Sequence, residues 1–282
     1  SGTAMALAFG ALAGGSLIQG VGVGWALIVM GALQVISLTT FVSVPSVAAR
    51  RQAAAAGFAA LIEGIKMLRT EKSLISILGV TAFVNFFFFS ASPLLQVVGG
   101  KFNVGPALLG LLAAMLGIGM FMGSIGIARY HPVRRGFLYV TGSYVAFAFM
   151  VGFALSPWYA ASAMFLVFAS VGMGFFGSTQ SILVMDSVSE ERRGRALGLL
   201  SSAIGVLPLG MLAVGEIAEV FGASQAITIA VLTGALLMTL FLRVRPEAIH
   251  QRQMLDEVVI DSGQRTDLPE SRRPNVFDLK AF

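Results

Sequence analysis

An all-α integral membrane protein with eight spans is the fold class this sequence predicts, and three observations carry it. Of its 282 residues, 56% are hydrophobic and 12% charged, with a mean hydropathy of +0.85, above the roughly 45–50% apolar content of soluble domains. Apolar runs near the ~20 residues needed to cross the ~30 Å hydrocarbon layer recur eight times. The bases are one-sided: of 19 Lys and Arg, all but Lys101 fall in segments that share one face if the spans alternate, which marks that face as cytoplasmic. Helices follow because lipid offers backbone N–H and C=O groups no other partner than the segment itself.

The spans are justified in order. The first, 3–20 (TAMALAFGALAGGSLIQG), has no basic region before it and needs no cleavage site, so a signal peptide is not expected. It starts as though cut inside a helix. The second covers 25–44. A basic segment, 45–72, follows with Arg50, Arg51, Lys66, Arg69 and Lys72. Within it, Phe58, Leu61, Ile62, Ile65 and Leu68 recur at helical spacing opposite Glu63, Lys66 and Arg69, which predicts an amphipathic helix lying in the membrane interface.

The third span, 73–98, contains TAFVNFFFFSASPLLQ. Asn85 lies near mid-membrane, four phenylalanines follow, and Pro93 lacks the N–H of a regular turn and permits a kink. Four consecutive phenylalanines point all round a helix, so at most two face a solute, here Phe88 and Phe89. Spans four and five cover 107–128 and 137–155. Ser156 and Pro157 connect the fifth to the sixth, 158–185, so tightly that a hairpin is expected. The sixth carries Thr179 and Gln180 beside a glycine-rich stretch.

Before the seventh span, SEERRGR packs five charges into residues 189–195. Ser187 and Glu190 form an S-x-x-E box that predicts a helix from near Val188, with Glu190 and Glu191 in the first turn where the macrodipole favours acid. Arg192, Arg193 and Arg195 then lie at the membrane surface. The seventh span, 196–218, holds Pro208 between Gly205 and Gly210, marking a flexible or tightly packed segment. Its Glu216 is the main intramembrane ionisable group and the candidate ion-coupling acid. The eighth covers 224–242. After Arg245 the text turns polar and loses periodicity, so 246–282 is expected to be a mostly disordered cytoplasmic tail. Both termini of this chain then lie in the cytoplasm.

The first and seventh spans echo one another. Ala8, Gly10, Leu12, Gly15, Leu17 and Gly20 recur as Ala203, Gly205, Leu207, Gly210, Leu212 and Gly215 at a constant offset of 195. An internal repeat of that offset contains six spans and is parallel. A chain of that design whose first span is the fifth of its unit lacks four spans.

These features together resemble the major facilitator superfamily of secondary transporters, in its exporter-like form. GALAGG (Gly10–Gly15) resembles the end of the fifth-span motif of its exporters, with Ala11 at the family's proline. SEERRGRALGLL and GVLPLGMLAVGEIAEVFG resemble the loop before the family's eleventh span and that span itself. GIARYHPVRRG (Gly126–Gly136) resembles a second copy of its loop motif, with Arg134 and Arg135 matching and Tyr130 and His131 at the Asp and Arg positions. The resemblance implies spans five to twelve of a twelve-helix fold: residues 1–44 end the first bundle, 45–72 link, and 73–245 form a complete second six-helix bundle. Eight spans alone are then expected to be transport-incompetent.

The resemblance further implies a cavity lined by the family's seventh and tenth spans, which places Asn85, Phe88, Phe89, Thr179 and Gln180 against a solute. It also implies a cytoplasmic gate in which one of Arg192, Arg193 or Arg195 bridges to an acid on a neighbouring helix end, Asp186 being the nearest, with Arg134 and Arg135 beside it. A mainly apolar cavity favours an amphipathic or hydrophobic solute. The implied function is efflux by alternating access at the cell membrane, driven by an ion gradient, most simply protons.

Other classes lack parts. With no cysteine and two histidines, His131 and His250, far from any carboxylate cluster, neither a metal site nor a His-based hydrolase can be assembled, and no cofactor is expected. The basic excess is a topology signal attracted to anionic headgroups, so the expected partners are bilayer, solute and coupling ion, and no nucleic acid. A polytopic scaffold without transport activity stays open as the alternative.

Overall fold

The computed structural model describes residues 2–42, 67, 70–130 and 134–250. The expected interfacial helix over 53–69, apart from Met67, and the tail beyond 250 lie outside them. Ten helices with both ends among the described residues follow in order: α1 Gly2–Val42, α2 Lys72–Phe87, α3 Leu94–Gly100, α4 Pro106–Tyr130, α5 Arg135–Leu155, α6 Tyr159–Asp186, α7 Arg193–Ile204, α8 Leu207–Phe221, α9 Ala223–Val244 and α10 Glu247–His250. No strand occurs among the described residues.

Among the described residues, seven stretches are long and apolar enough to cross a membrane, where the sequence predicts eight spans. The difference lies in α1. Its 41 residues would extend about 60 Å at 1.5 Å per residue, twice the hydrocarbon thickness. Gly22, at φ 84° and ψ 167°, breaks it into two arms of 20 residues, 2–21 and 23–42. That backbone region is open to glycine almost alone. The same device recurs once: Gly222, at φ 85° and ψ 160°, joins α8 to α9.

Two expected spans are discontinuous. The third is α2, a 3-10 turn at Phe89–Ala91, and α3 entered through Pro93, so the proline ends one segment and starts the next. The seventh is a 3-10 turn at Glu190–Arg192, then α7, then α8 after Gly205 and Val206, with Pro208 in the first turn of α8. Proline fits there because first-turn N–H groups have no helical partner. The two broken spans meet: a Cβ added at Gly210 would lie 2.9 Å from the Phe86 Cα.

The S-x-x-E box does not operate as expected. The Ser187 hydroxyl donates to the Val184 carbonyl at 2.7 Å and closes α6. Ser189 takes the extended conformation before the next turn, so the helix resumes at Glu190 and not at Val188. Glu190 and Glu191 do occupy the first turn.

The bundle is centred on α2, whose Leu74, Ile77, Val80 and Val84 are fully buried. The α5–α6 connection is as short as Ser156–Pro157 predicts, with the Trp158 N–H donating to the Ser156 hydroxyl. Small residues let helices touch backbone to backbone. A Cβ at Gly110 of α4 would lie 2.6 Å from the Ala11 carbonyl and 2.8 Å from the Gly15 Cα of α1. The outward faces are apolar: Leu232, Leu236 and Leu240 form an exposed stripe on α9, as lipid contact demands.

Candidate functional site

The polar interior converges on Thr81. On α2, Thr81 and Asn85 stand one turn apart, and the Asn85 Nδ2 donates to the Thr81 carbonyl at 2.9 Å. From α5 the Tyr139 hydroxyl approaches the Thr81 Oγ1 at 2.7 Å and the Ile77 carbonyl at 3.0 Å. From α6 the Gln180 Nε2 donates to the Thr81 Oγ1 at 3.1 Å. The donor inventory assigns the protons. A carbonyl can only accept, so the single hydrogen of Tyr139 goes to Ile77, and Thr81 must donate to the Tyr139 oxygen. The result is a directed chain, Gln180 N–H to Thr81 O–H to Tyr139 O–H to the Ile77 carbonyl, whose links polarise one another in a low-dielectric interior.

Packing holds this chain in place. Tyr139 is fully buried and stacks on Phe176 with centroids 4.8 Å apart. Asn85 and Gln180 are 5% and 8% exposed, so each shows little more than an edge outside the bundle. Thr179 bonds back to its own helix, donating to the Phe175 carbonyl at 2.8 Å, and stays out of the hub. Phe88 is buried, meeting Phe89 edge-on at 5.3 Å and Phe147 at 6.3 Å; Phe89 is half-buried at the break after α2. The structure therefore brings Asn85 and Gln180 together through a third residue and sets the two phenylalanines one turn beyond. Glu216 is exposed on α8, with no hydrogen bond or ion pair to the hub among the described residues.

Sequence reasoning missed Thr81 and Tyr139. Thr81 carried one signal, its place one turn before Asn85. Tyr139 carried another, since a phenol inside a span needs a buried partner.

Where the ends of α5, α6 and α7 come together, the described residues make three ion pairs in place of the expected one. Asp186, at the end of α6, pairs at 3.9 Å with Arg135 at the start of α5, and not with the loop arginines. Arg192 reaches Glu71, just before α2, at 3.6 Å. Arg193 pairs locally with Glu190 at 3.9 Å. An arginine of the loop thus does bridge to an acid on another helix end, but the acid is Glu71. Arg134 is exposed ahead of α5 and Arg195 is exposed on α7; His131 lies outside the described residues. Arg135 and Tyr139 sit one turn apart on α5, which puts the Asp186 pair next to the hub. Pairs this accessible are worth about 0–1 kcal/mol each, weak enough to break and remake.

Comparison with known proteins adds three findings. The family model described as Major Facilitator Superfamily matches residues 1–207. Among solved structures, the chain is similar to one described as a bacterial homolog to the human lysosomal transporter Spinster, inward-facing and unoccupied. Identity is 18% and the TM-score 0.48, over 83% of this chain and 61% of that one, so this chain spans less than two thirds of that relative's length. No curated protein matches.

Proposed function

The chain belongs to the Major Facilitator Superfamily, and from that membership we propose that it forms part of a secondary active transporter and not an enzyme. The family match over residues 1–207 carries the reading. In this proposal α1 supplies the last two helices of the first bundle, residues 45–72 link, residues 73–245 form the second bundle, and the spans are numbers five to twelve of a twelve-helix fold. The protein lies in the cell membrane with both termini of this chain in the cytoplasm and works by alternating access.

The proposed cargo is a small amphipathic or hydrophobic solute moving outward. Two features support that chemistry: the hub holds no charged group, and aromatic rings flank it. Asn85 and Gln180 would meet the solute at their exposed edges, with Phe88, Phe89 and Thr179 around them. Glu216 would couple the ion, and the pairs made by Arg135, Asp186 and Arg192, with Arg134, Arg193 and Arg195 beside them, would form the cytoplasmic gate. The test is flux of a panel of amphipathic dyes by the protein encoded together with its upstream sequence, in proteoliposomes under a proton gradient. Gradient-dependent flux that an ionophore abolishes and Glu216→Gln uncouples is expected. Flux indifferent to the gradient removes the coupling, and no flux of any dye removes the solute class.

A further inference from the structure

The chain just after the last span is not free. Ser76, on α2 and fully buried, donates its one hydroxyl hydrogen to the Arg245 carbonyl at 2.6 Å and accepts the Ala248 N–H at 3.0 Å. A single side chain thereby satisfies both a carbonyl at the end of α9 and an N–H of the first turn of α10, groups that helix ends leave without partners. Ala248 is itself fully buried, and α10 packs against both α2 and α5. Four residues cannot hold a helix on their own. The segment is ordered by what it docks on.

One group opposes the docking. Among the described residues, the Glu247 Oε2 is buried with no hydrogen-bond partner. Taking a carboxylate oxygen out of water without a donor is unfavourable, and it sits in the residue next to the one Ser76 holds. The same short segment contains a strong clasp and an uncompensated polar atom.

We propose that Pro246–His250 is a cytoplasmic strap in exchange between docked and released states, held shut by Ser76 and loosened by Glu247. Docked, it ties the end of α9 to α2 and α5, so three helices of the bundle share one fastening. Ser76 lies five residues before Thr81, about 8 Å along α2 at 1.5 Å per residue, so the strap sets the position of the helix that carries the hub. Release frees that end of α2 while the hub bonds to Tyr139 and Gln180 stay closed.

Amide hydrogen exchange of the peptide covering 246–250, measured on the purified chain in nanodiscs, reads the docking directly. Ser76→Val should exchange there about tenfold faster, and Glu247→Gln, whose amide can donate, several-fold slower. Exchange of the α6 core around Met173 reports whether the bundle is intact. Should Ser76→Val unfold the bundle, the Glu247→Gln result decides alone, because added protection cannot arise from misfolding. An intact Ser76→Val protein with wild-type exchange at 246–250, or a Glu247→Gln protein exchanging there as fast as wild type or faster, overturns the proposal.

Discussion

Replacing Thr81 by valine deletes one hydroxyl while keeping the volume, and the consequence can be worked out bond by bond. The Gln180 Nε2 loses its acceptor at 3.1 Å and the Tyr139 oxygen loses its donor at 2.7 Å. The Tyr139 bond to the Ile77 carbonyl and the Asn85 bond to the Thr81 carbonyl survive, because neither uses the hydroxyl. The deficit is the amide N–H that Gln180 gave to Thr81, which then has the nearby Tyr139 oxygen as its one remaining side-chain acceptor among the described residues; about 1–3 kcal/mol is typical of a fully orphaned group in soluble proteins. Interhelical bonds within membranes average nearer ~0.6 kcal/mol, with ~1.7 at the top of the range. The buried, three-helix position places Thr81→Val at the upper end of the membrane range, ~1–2 kcal/mol. Thr81→Ser keeps the oxygen and should stay within about 0.5 kcal/mol of wild type, as a substitution that leaves no polar group orphaned. Equilibrium unfolding in mixed micelles measures both. A double-mutant cycle with Gln180→Leu should show ~1 kcal/mol of coupling, since removing both partners leaves no orphaned donor. Equal stability of the valine and serine proteins, or zero coupling to Gln180, refutes the directed chain.

Three further outcomes are expected. Gly222→Ala forces a side chain into a glycine-only conformation and should cost ~1–3 kcal/mol, whereas Gly215→Ala, on a helix with open space around its Cβ, should be neutral or slightly stabilising; thermal unfolding compares them. Gly110→Ala drives a methyl into the Ala11 carbonyl, an overpacking worth about 1–3 kcal/mol, and should slow disulfide formation between cysteines placed at Gln19 and Ala107, whose side chain and N–H now bond at 2.9 Å; Gly14→Ala, with nothing near it, should leave that rate unchanged. Arg192→Ala should change transport rate more than expression level, with less than ~1 kcal/mol lost from stability, while Arg193→Ala, which breaks only a local pair, should change the rate less; equal losses of rate and expression in Arg192→Ala remove the gating role.

What could be read from the sequence divides along a physical line. Span positions depend on hydrophobicity summed over twenty residues, a one-dimensional quantity, and they were legible. So was the discontinuity of the third span, because Pro93 lacks its N–H wherever the chain goes. The identity of partners was not. Asp186 stands six residues from Arg192 in sequence and yet bonds to Arg135, because α5 and α6 form a hairpin whose open ends meet. The hub was half legible for the same reason: Asn85 and Gln180 are rare polar residues inside apolar runs, but a threonine is common enough in helices to pass unnoticed. Its role arises only when α5 and α6 close on α2. The Ser187–Glu190 pattern misled because Ser187 was needed to finish the preceding helix.

The strongest link between sequence and fold is the pair of glycines that turn with the same dihedrals. The constant offset of 195 between the first and seventh spans could arise in any chain rich in Gly, Ala and Leu. Gly22 and Gly222 are not part of that match and lie 200 residues apart, so their agreement within 1° in φ and 7° in ψ is a separate observation. Gly22 ends an arm that contains Gly10, Gly15 and Gly20, Gly222 ends the helix that contains Gly210 and Gly215, and each opens the next apolar helix. The five residues by which the two offsets differ fall between Gly215 and Gly222, in the last turns of α8. The duplicated unit expected from the sequence would tolerate such drift at a helix end, but not in the packed stretch around Gly15 and Gly210. Those are the two matched glycines at which a Cβ would meet a neighbouring helix's backbone: α4 for Gly15, α2 for Gly210. Register is kept where contact demands it and lost where it does not.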